Sequence, residues 1–578
     1  MAEEVIRGID VLVIGGGLAG TLAAIKAREA GARQVVQVDK AYAGRSGCSA
    51  CAAGVISSFL PEEDDREQMF TDMVVRAHHL CDQERLQDHF DDFPARLKEM
   101  EDFGVGFERL PDGKLQRHPG RGTGKFVMFH GGLQMMGAMR KAALGAGVKI
   151  VDKTMVTGLL TRDGAVSGAV GFHIPSGEFR VFGAKAVVVA AGRCWNKGRN
   201  PGNRSATGDG LALAYQVGAV LEGLDQARWN NMAARYDIGP GMNMYVGSGG
   251  FFVNSKGERF MERYHPELKD RAPLNILTPS FAMEARRGNA PIFLDLTHLE
   301  PETVLRFKRV IPMPMMMFER VGVVAGDRFT RKVEWEPAAI QCDGGLKVNR
   351  RYESTVPGLF ACGDAIPPGS GEGQRALPGA MTSGGRAGRF AAEYVRECGE
   401  PELEREQIQV LREETFAPLN RNDGIEPDQV LLSLQEAISP YDVLILRREE
   451  RMERALRTVE EIWRDQAPLL CAYDPHYLRM AHEARYMTLV GMLQLRSALF
   501  RKESRENLRE DYPLIDNESW LKWVTVRREG DGVKVGAEML PVERYPVKPK
   551  PDKTLHPLWQ RVEGMGIVKI EQGEVRWA

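Results

Sequence analysis

The stretch Val11-Leu12-Val13-Ile14-Gly15-Gly16-Gly17-Leu18-Ala19-Gly20 decides the fold of the N-terminal part of this chain. Four apolar residues in a row read as a strand buried on both faces. The run ends in Gly-x-Gly-x-x-Gly, formed by Gly15, Gly17 and Gly20. Residues 21–30 are rich in helix formers and stop at Gly31. Val35-Val36-Gln37-Val38 then reads as a second strand, with Asp39 at its end. Each part has a physical task. Gly15 makes the tight turn, Gly17 lets the backbone approach a pyrophosphate, and Gly20 lets the helix pack on the sheet. The helix N-terminus directs N–H groups and positive dipole at the phosphates, and Asp39 is placed to accept from ribose hydroxyls. Strand, turn, helix, strand and terminal acid in this register predict a dinucleotide-binding unit.

Further along, Ala186-Val187-Val188-Val189-Ala190-Ala191-Gly192 is another buried strand ending in small residues. Residues 356–362 form a short strand that leads into Gly363-Asp364. The chain has 578 residues, 43% apolar and 27% charged, enough for several globular units with substantial cores. With 77 basic and 79 acidic residues the formal charge is −2, which offers no electrostatic case for nucleic acid. The eight cysteines are scattered, without the grouped spacing of a cubane cluster or a disulfide framework, and no metal site is expected. The N-terminus has only a four-residue apolar run preceded by acids, and no run is long enough to span a membrane. The expectation is a cytoplasmic protein, associated with a membrane only through partner subunits.

Arg45-Ser46-Gly47 follows the second strand, and Thr207-Gly208-Asp209-Gly210 follows the third. Later come Gly257 to Tyr264 (GERFMERY), Phe293 to His298 (FLDLTH), Arg501 to Arg505 and Arg509 to Pro513. In content and order these segments resemble the flavoprotein subunits of the succinate dehydrogenase/fumarate reductase superfamily, which includes adenylylsulfate reductase and L-aspartate oxidase. The resemblance implies FAD as cofactor. The matching contact positions are Gly15, Gly16, Gly17, Gly20, Asp39, Lys40, Arg45, Ser46, Gly47, Gly192, Asp209, Gly363 and Asp364. It also implies an α/β fold: a Rossmann-like FAD-binding domain (1–228 plus 340–420) with an inserted α+β capping domain (229–339). A helical domain (425–515) and a short β-rich C-terminal extension (516–578) complete it. The tail is expected to wrap a neighbour. The cluster Arg505, Arg509, Glu510 and Asp511 reads as structural or as an intersubunit contact, and the Arg/Glu pairs of the late helices read as solvated faces.

The departures from the family bear on function. Members with covalent flavin carry a histidine where this chain has Gly47, so non-covalent FAD is expected. Read ungapped from Lys269-Asp270, the family's proton-transfer arginine falls on Leu274, with Arg271 three residues earlier. The family histidine before Gly344-Gly345 falls on Ile340, and the usual His-Pro-Thr-Gly is missing around Trp229-Asn230-Asn231. Arg375 alone matches a carboxylate-clamping arginine. The expectation is an FAD-dependent oxidoreductase exchanging hydride at flavin N5 with a CH–CH or C=C substrate other than succinate or fumarate. The catalytic candidates are Arg271, Arg375, His265 and Tyr264. Met242-Asn243-Met244-Tyr245 and the methionines of 313–317 are candidates for an adaptable apolar lining. A fumarate reductase, succinate dehydrogenase or adenylylsulfate reductase proper, and a non-catalytic electron relay, stay open. With no redox group of its own beyond FAD, such a chain calls for a partner, an iron–sulfur electron-transfer subunit. Cys48 and Cys51 form a C-x-x-C beside the flavin loop, read either as small packing residues or as a thiol pair exchanging electrons with flavin.

Overall fold

The computed structural model describes residues 3–120, 124–199, 201–236, 241–368 and 376–578. Among them, seven strands form the sheet that positions the site. Lys149–Val151, Val35–Val38, Glu3–Ile14 and Phe179–Val189 lie side by side, all parallel. The apolar run 11–14 is fully enclosed and pairs in register with both neighbours, Val11 opposite Val35 and Val13 opposite Val188. The first strand is longer than its apolar run. It begins at Glu3, where it pairs with Phe179, and carries an irregularity between Ile6 and Ile9. Phe179–Val189 is bordered on its far edge by two elements in turn. Its first half pairs antiparallel with Ala165–His173, which pairs with Thr154–Arg162, while Val187–Val189 pairs parallel with Leu359–Ala361. Helices Leu18–Glu29 and Leu377–Tyr394 pack against each other on this sheet.

Five parallel strands therefore end on one edge, at Val151, Val38, Ile14, Val189 and Ala361. In parallel α/β sheets ligands bind at the carboxyl ends of the strands. Here that edge carries Gly15–Gly17, Asp39, Ala190–Gly192 and Asp364.

The chain enters a second unit along Ala227–Ala233 and leaves it along Val333–Cys342. These two strands are antiparallel partners, Trp229 opposite Ile340. Phe293–Asp295 and Phe251–Val253 extend that sheet, and helices Leu274–Arg286, Pro301–Val310 and Pro312–Arg320 pack around it. Helices Arg405–Phe416, Pro427–Ile438, Glu449–Glu461 and Pro475–Phe500 follow. No helix among the described residues is long and apolar enough to cross a membrane.

In the C-terminal extension a hairpin, Lys522–Glu529 with Gly532–Met539, pairs with Leu221–Glu222 of the same chain, Val526 opposite Leu221. The late arginines are internal. Arg505 and Arg509 are buried, held by Glu503 at 2.7 Å and Asp511 at 2.6 Å. Such charges are costly to bury unpaired, and here carboxylates from the same loop pair them.

Candidate functional site

A cleft of about 380 Å³ runs along the carboxyl edge of the sheet, from Gly15–Gly17 to Asp364 and Leu377. At its first end the backbone does most of the shaping. Gly15 has φ +121°, and a Cβ there would collide with the Ala190 carbonyl oxygen. Gly20 packs rather than lines, since its Cβ would run into the Gly15 carbonyl. The helix beginning at Leu18 has no cap from its own N-cap residue Gly17; the Leu18 N–H donates to Ser49 Oγ at 3.1 Å. Asp39 accepts from the Gly16 N–H at 2.6 Å and the Ala41 N–H at 2.7 Å. Burial pushes this carboxyl up, and those two N–H bonds oppose the shift without cancelling it. Asp39 therefore holds the glycine turn in shape at the place where a ribose would sit.

Lys40 lines the cleft, but its ammonium group is already occupied by protein. It lies 2.7 Å from Asp209 and 2.9 Å from Glu483, and donates to Thr207 Oγ1. Burial alone would lower its pKa; the two carboxylates outweigh that and raise it. Glu483 is buried on the helix Pro475–Phe500 and also pairs with Lys197 and Arg479. Burial pushes its carboxyl up, yet the three cations hold it down at about 2. Arg193, also buried and in the lining, pairs with Asp343 and, at 3.0 Å, with Asp364. Glu483, Arg193 and Asp343 are not expected from the sequence. Glu483 has the i, i+4 spacing to Arg479 of an ordinary surface pair, so nothing local points to Lys40.

Of the expected cofactor positions, Gly15, Gly16, Gly17, Asp39, Lys40, Ser46, Gly47, Gly192, Asp209 and Asp364 line the cleft. Arg45 is exposed and outside the lining. Gly363 lies just behind it, its N–H donating to Ser383 Oγ.

The catalytic candidates are not brought together at the cleft. The Tyr264 hydroxyl donates to Glu284 at 3.0 Å, and Glu284, fully buried, also accepts from Asn254 and Asn289. Both belong to the core of the inserted unit. His265 Nδ1 accepts the Leu268 N–H, which fixes a turn. Arg271 donates through Nε to the Gly120 carbonyl at 2.7 Å, tying the inserted unit to the first domain. None of the three lines the cleft. Arg375 lies outside the described residues. From the inserted unit the lining takes Arg228, Asn243 and Leu274, the last being the position on which the family arginine would fall. Met244 and Met315 are core residues and Met316 is exposed, so these methionines do not form the expected lining. Instead Met69 and Met73 line an adjoining chamber of about 360 Å³, which shares Arg228, Asn243 and Leu377 with the cleft.

The residues present fit FAD. The glycine turn leaves room for a pyrophosphate at a helix N-terminus. Trp195 Nε1, Asn203 Nδ2 and Arg193 Nε are buried donors in lining residues with no partner among the described residues, and buried donors demand acceptors. Gly47, with φ +79°, offers no side chain for covalent attachment.

Comparison with known proteins agrees. The family model for an FAD binding domain matches residues 10–380, and that for the fumarate reductase flavoprotein C-terminus matches 433–554. One of the subunits of the fumarate reductase (CoM/CoB) of Methanothermobacter marburgensis is 29% identical, over 92% of this chain and 100% of that one. The fold is that of Escherichia coli quinol fumarate reductase FrdA, with a TM-score of 0.83 at 22% identity, covering 94% of this chain and 98% of the other. It is also that of adenylylsulfate reductase from Archaeoglobus fulgidus, with a TM-score of 0.80 at 22% identity, covering 93% and 96%. The chain belongs to the FAD binding domain family, with the C-terminal region of the fumarate reductase flavoproteins, and is an FAD-dependent oxidoreductase.

Proposed function

We propose that this chain is the catalytic flavoprotein component of an electron-transferring complex, acting on a CH–CH or C=C bond of a small acid larger than succinate or fumarate. Bound FAD, held without a covalent link, supplies or accepts the hydride at N5. One observation carries the reading: among the described residues Arg228 is the one cation common to the cofactor cleft and the second chamber, while Leu274 occupies the cleft where relatives would place an arginine; of the chamber's other cations, Arg117 is held by Asp64 at 2.8 Å. One cation suits one carboxylate, and an apolar side chain beside it disfavours a second. The chamber, where Met69, Met73 and Leu377 stand among charged residues such as Asp72, Arg76 and Lys125, leaves space for the rest of the substrate. Arg228 is then the group that orients the substrate anion and meets the reacting carbons; Arg271, bonded to Gly120, is the alternative for proton traffic.

The partner argument is chemical. Flavin takes up electrons in pairs, and the scattered cysteines of this chain offer no second carrier, so an iron–sulfur subunit is the fitting recipient. The test is anaerobic. Reduced holoenzyme is mixed separately with fumarate, with longer unsaturated monocarboxylic acids and their thioesters, and with adenylylsulfate. Return of the oxidised flavin spectrum with the longer monoacids, and not with fumarate, is expected. Reoxidation by fumarate or adenylylsulfate alone overturns the substrate assignment; silence with every compound supports a non-catalytic relay. Acid precipitation should release the flavin into the supernatant.

A further inference from the structure

The helical region carries a second cavity, of about 390 Å³, that shares no lining residue with the cofactor cleft. Its volume lies within the range of small-molecule sites, which are mostly apolar with a few placed polar groups. It forms where the helix Glu449–Glu461 widens into a π-helical turn over Ile462–Gln466. Such turns displace side chains from the regular helical face and recur at functional sites. Here the turn sets Trp463 on the wall. Arg421 lines the cavity from the loop after the first of the late helices, and Arg485 from the helix Pro475–Phe500. Pro418 and Pro468 are part of the apolar remainder.

The charges do not balance. Three guanidinium groups meet one carboxylate, the exposed Glu414. Arg464 is held by Asp465 through two bonds of 2.8 and 2.7 Å. Arg421 donates to the Leu470 carbonyl at 2.9 Å, and Arg485 lies 5.7 Å from the centre of the Trp463 ring. Both are half-buried, and neither has an ion pair among the described residues. Guanidinium groups in a concave, partly apolar setting match an oxyanion by forked hydrogen bonds. An indole ring beside them offers area to a flat ring system. We infer that this cavity is a binding site for a nucleoside phosphate, with the phosphate on Arg421 and Arg485 and the base on Trp463.

The test uses the FAD-loaded protein, titrated by calorimetry with ADP, with adenosine and with inorganic phosphate. Saturable binding of one ADP per chain is expected, with adenosine and phosphate each at least about tenfold weaker. Arg421→Gln and Arg485→Gln should each weaken ADP about tenfold, with FAD content and circular dichroism unchanged. If either variant fails to fold, Trp463→Phe, which keeps an apolar ring, serves in its place and should weaken ADP more than phosphate. The assignment is overturned by absence of ADP binding, by equal affinity in the substituted proteins, by phosphate binding as tightly as ADP, or by release of FAD on ADP addition. The last result would place the ADP in the cofactor cleft.

Discussion

The two ends of the cofactor cleft are built differently. The nucleotide end is made by a continuous segment, Gly15 to Asp39, in which backbone N–H groups and tight glycine packing shape the surface. The other end, where the proposed reaction takes place, is made by side chains that converge from distant parts of the chain: Arg228 and Leu274 of the inserted unit, Arg193 after the strand Phe179–Val189, and Leu377. A backbone site is specified by local rules about turns and helix ends. A convergent site depends on how two units dock, which no local pattern encodes.

The largest effect should come from the backbone end. Gly15→Val places a branched side chain at φ +121° against the Ala190 carbonyl. Backbone strain and overpacking together cost roughly 2–5 kcal/mol, and the purified protein should contain no flavin. Full flavin content in that variant would show that the turn is more forgiving than its geometry implies.

The next largest effect belongs to Glu483, which lines neither end but holds Lys40 in the wall of the cleft. Glu483→Gln leaves Lys40, Lys197 and Arg479 without their shared partner, and breaking a buried pair costs about 3–5 kcal/mol. The pH dependence has a definite sign. The folded carboxyl is held at about 2, below its ordinary value of 4.5. Its contribution, about 3 kcal/mol, is therefore complete above the unfolded value and is lost as pH falls from there toward 2. Denaturant titrations should show the gap between wild type and Glu483→Gln narrowing over that window. A constant gap would mean that the pair contributes packing alone.

What is legible in the sequence follows the same division. The runs 11–14 and 186–189 stand out because strands buried on both faces are continuously apolar, whereas 35–38 is interrupted by buried Gln37, whose amide donates to the Gly15 carbonyl and Thr21 Oγ1. The first strand's start at Glu3 does not, since its early pairing with Phe179–Phe182 uses a mixed segment. The cofactor motifs are legible because each is short and chemically constrained. Tyr264 and His265 mislead because a polar aromatic near a family motif looks available, while Glu284 and Leu268 claim them inside the inserted unit. Arg228 sits unnoticed in an ordinary strand sequence, and only the pairing of Ala227–Ala233 with Val333–Cys342 brings it to the cleft.

At the reaction end, the comparison is sharpened by substituting the two arginines separately. Arg228→Gln should retain FAD and lower turnover about 10²-fold, the usual effect of removing one charged donor from a transition state. Arg271→Ala, tested in the same assay, should change turnover less, because its Nε bonds the Gly120 carbonyl outside the lining. The reverse ranking would restore Arg271 as the proton carrier and reduce Arg228 to an electrostatic bystander.

The smallest effect is expected at Cys48 and Cys51, where the two ends meet. Both line the cleft, and neither is in a disulfide. The Cys48 thiol donates to Asn203 Oδ1 at 3.1 Å. Burial pushes its pKa well up, with Asp364 and Cys51 adding to the shift and Arg193 opposing it; burial raises Cys51 as well. Thiol–disulfide exchange needs a thiolate, and at neutral pH this environment keeps both groups as thiols. The number of titratable thiols should be the same before and after reduction of the flavin. Cys51→Ser should retain FAD and turnover, with stability within about 1 kcal/mol of wild type. A loss of two thiols on oxidation would break the division between backbone and side-chain ends, because it would place a redox-active pair on the turn that otherwise only shapes the cleft.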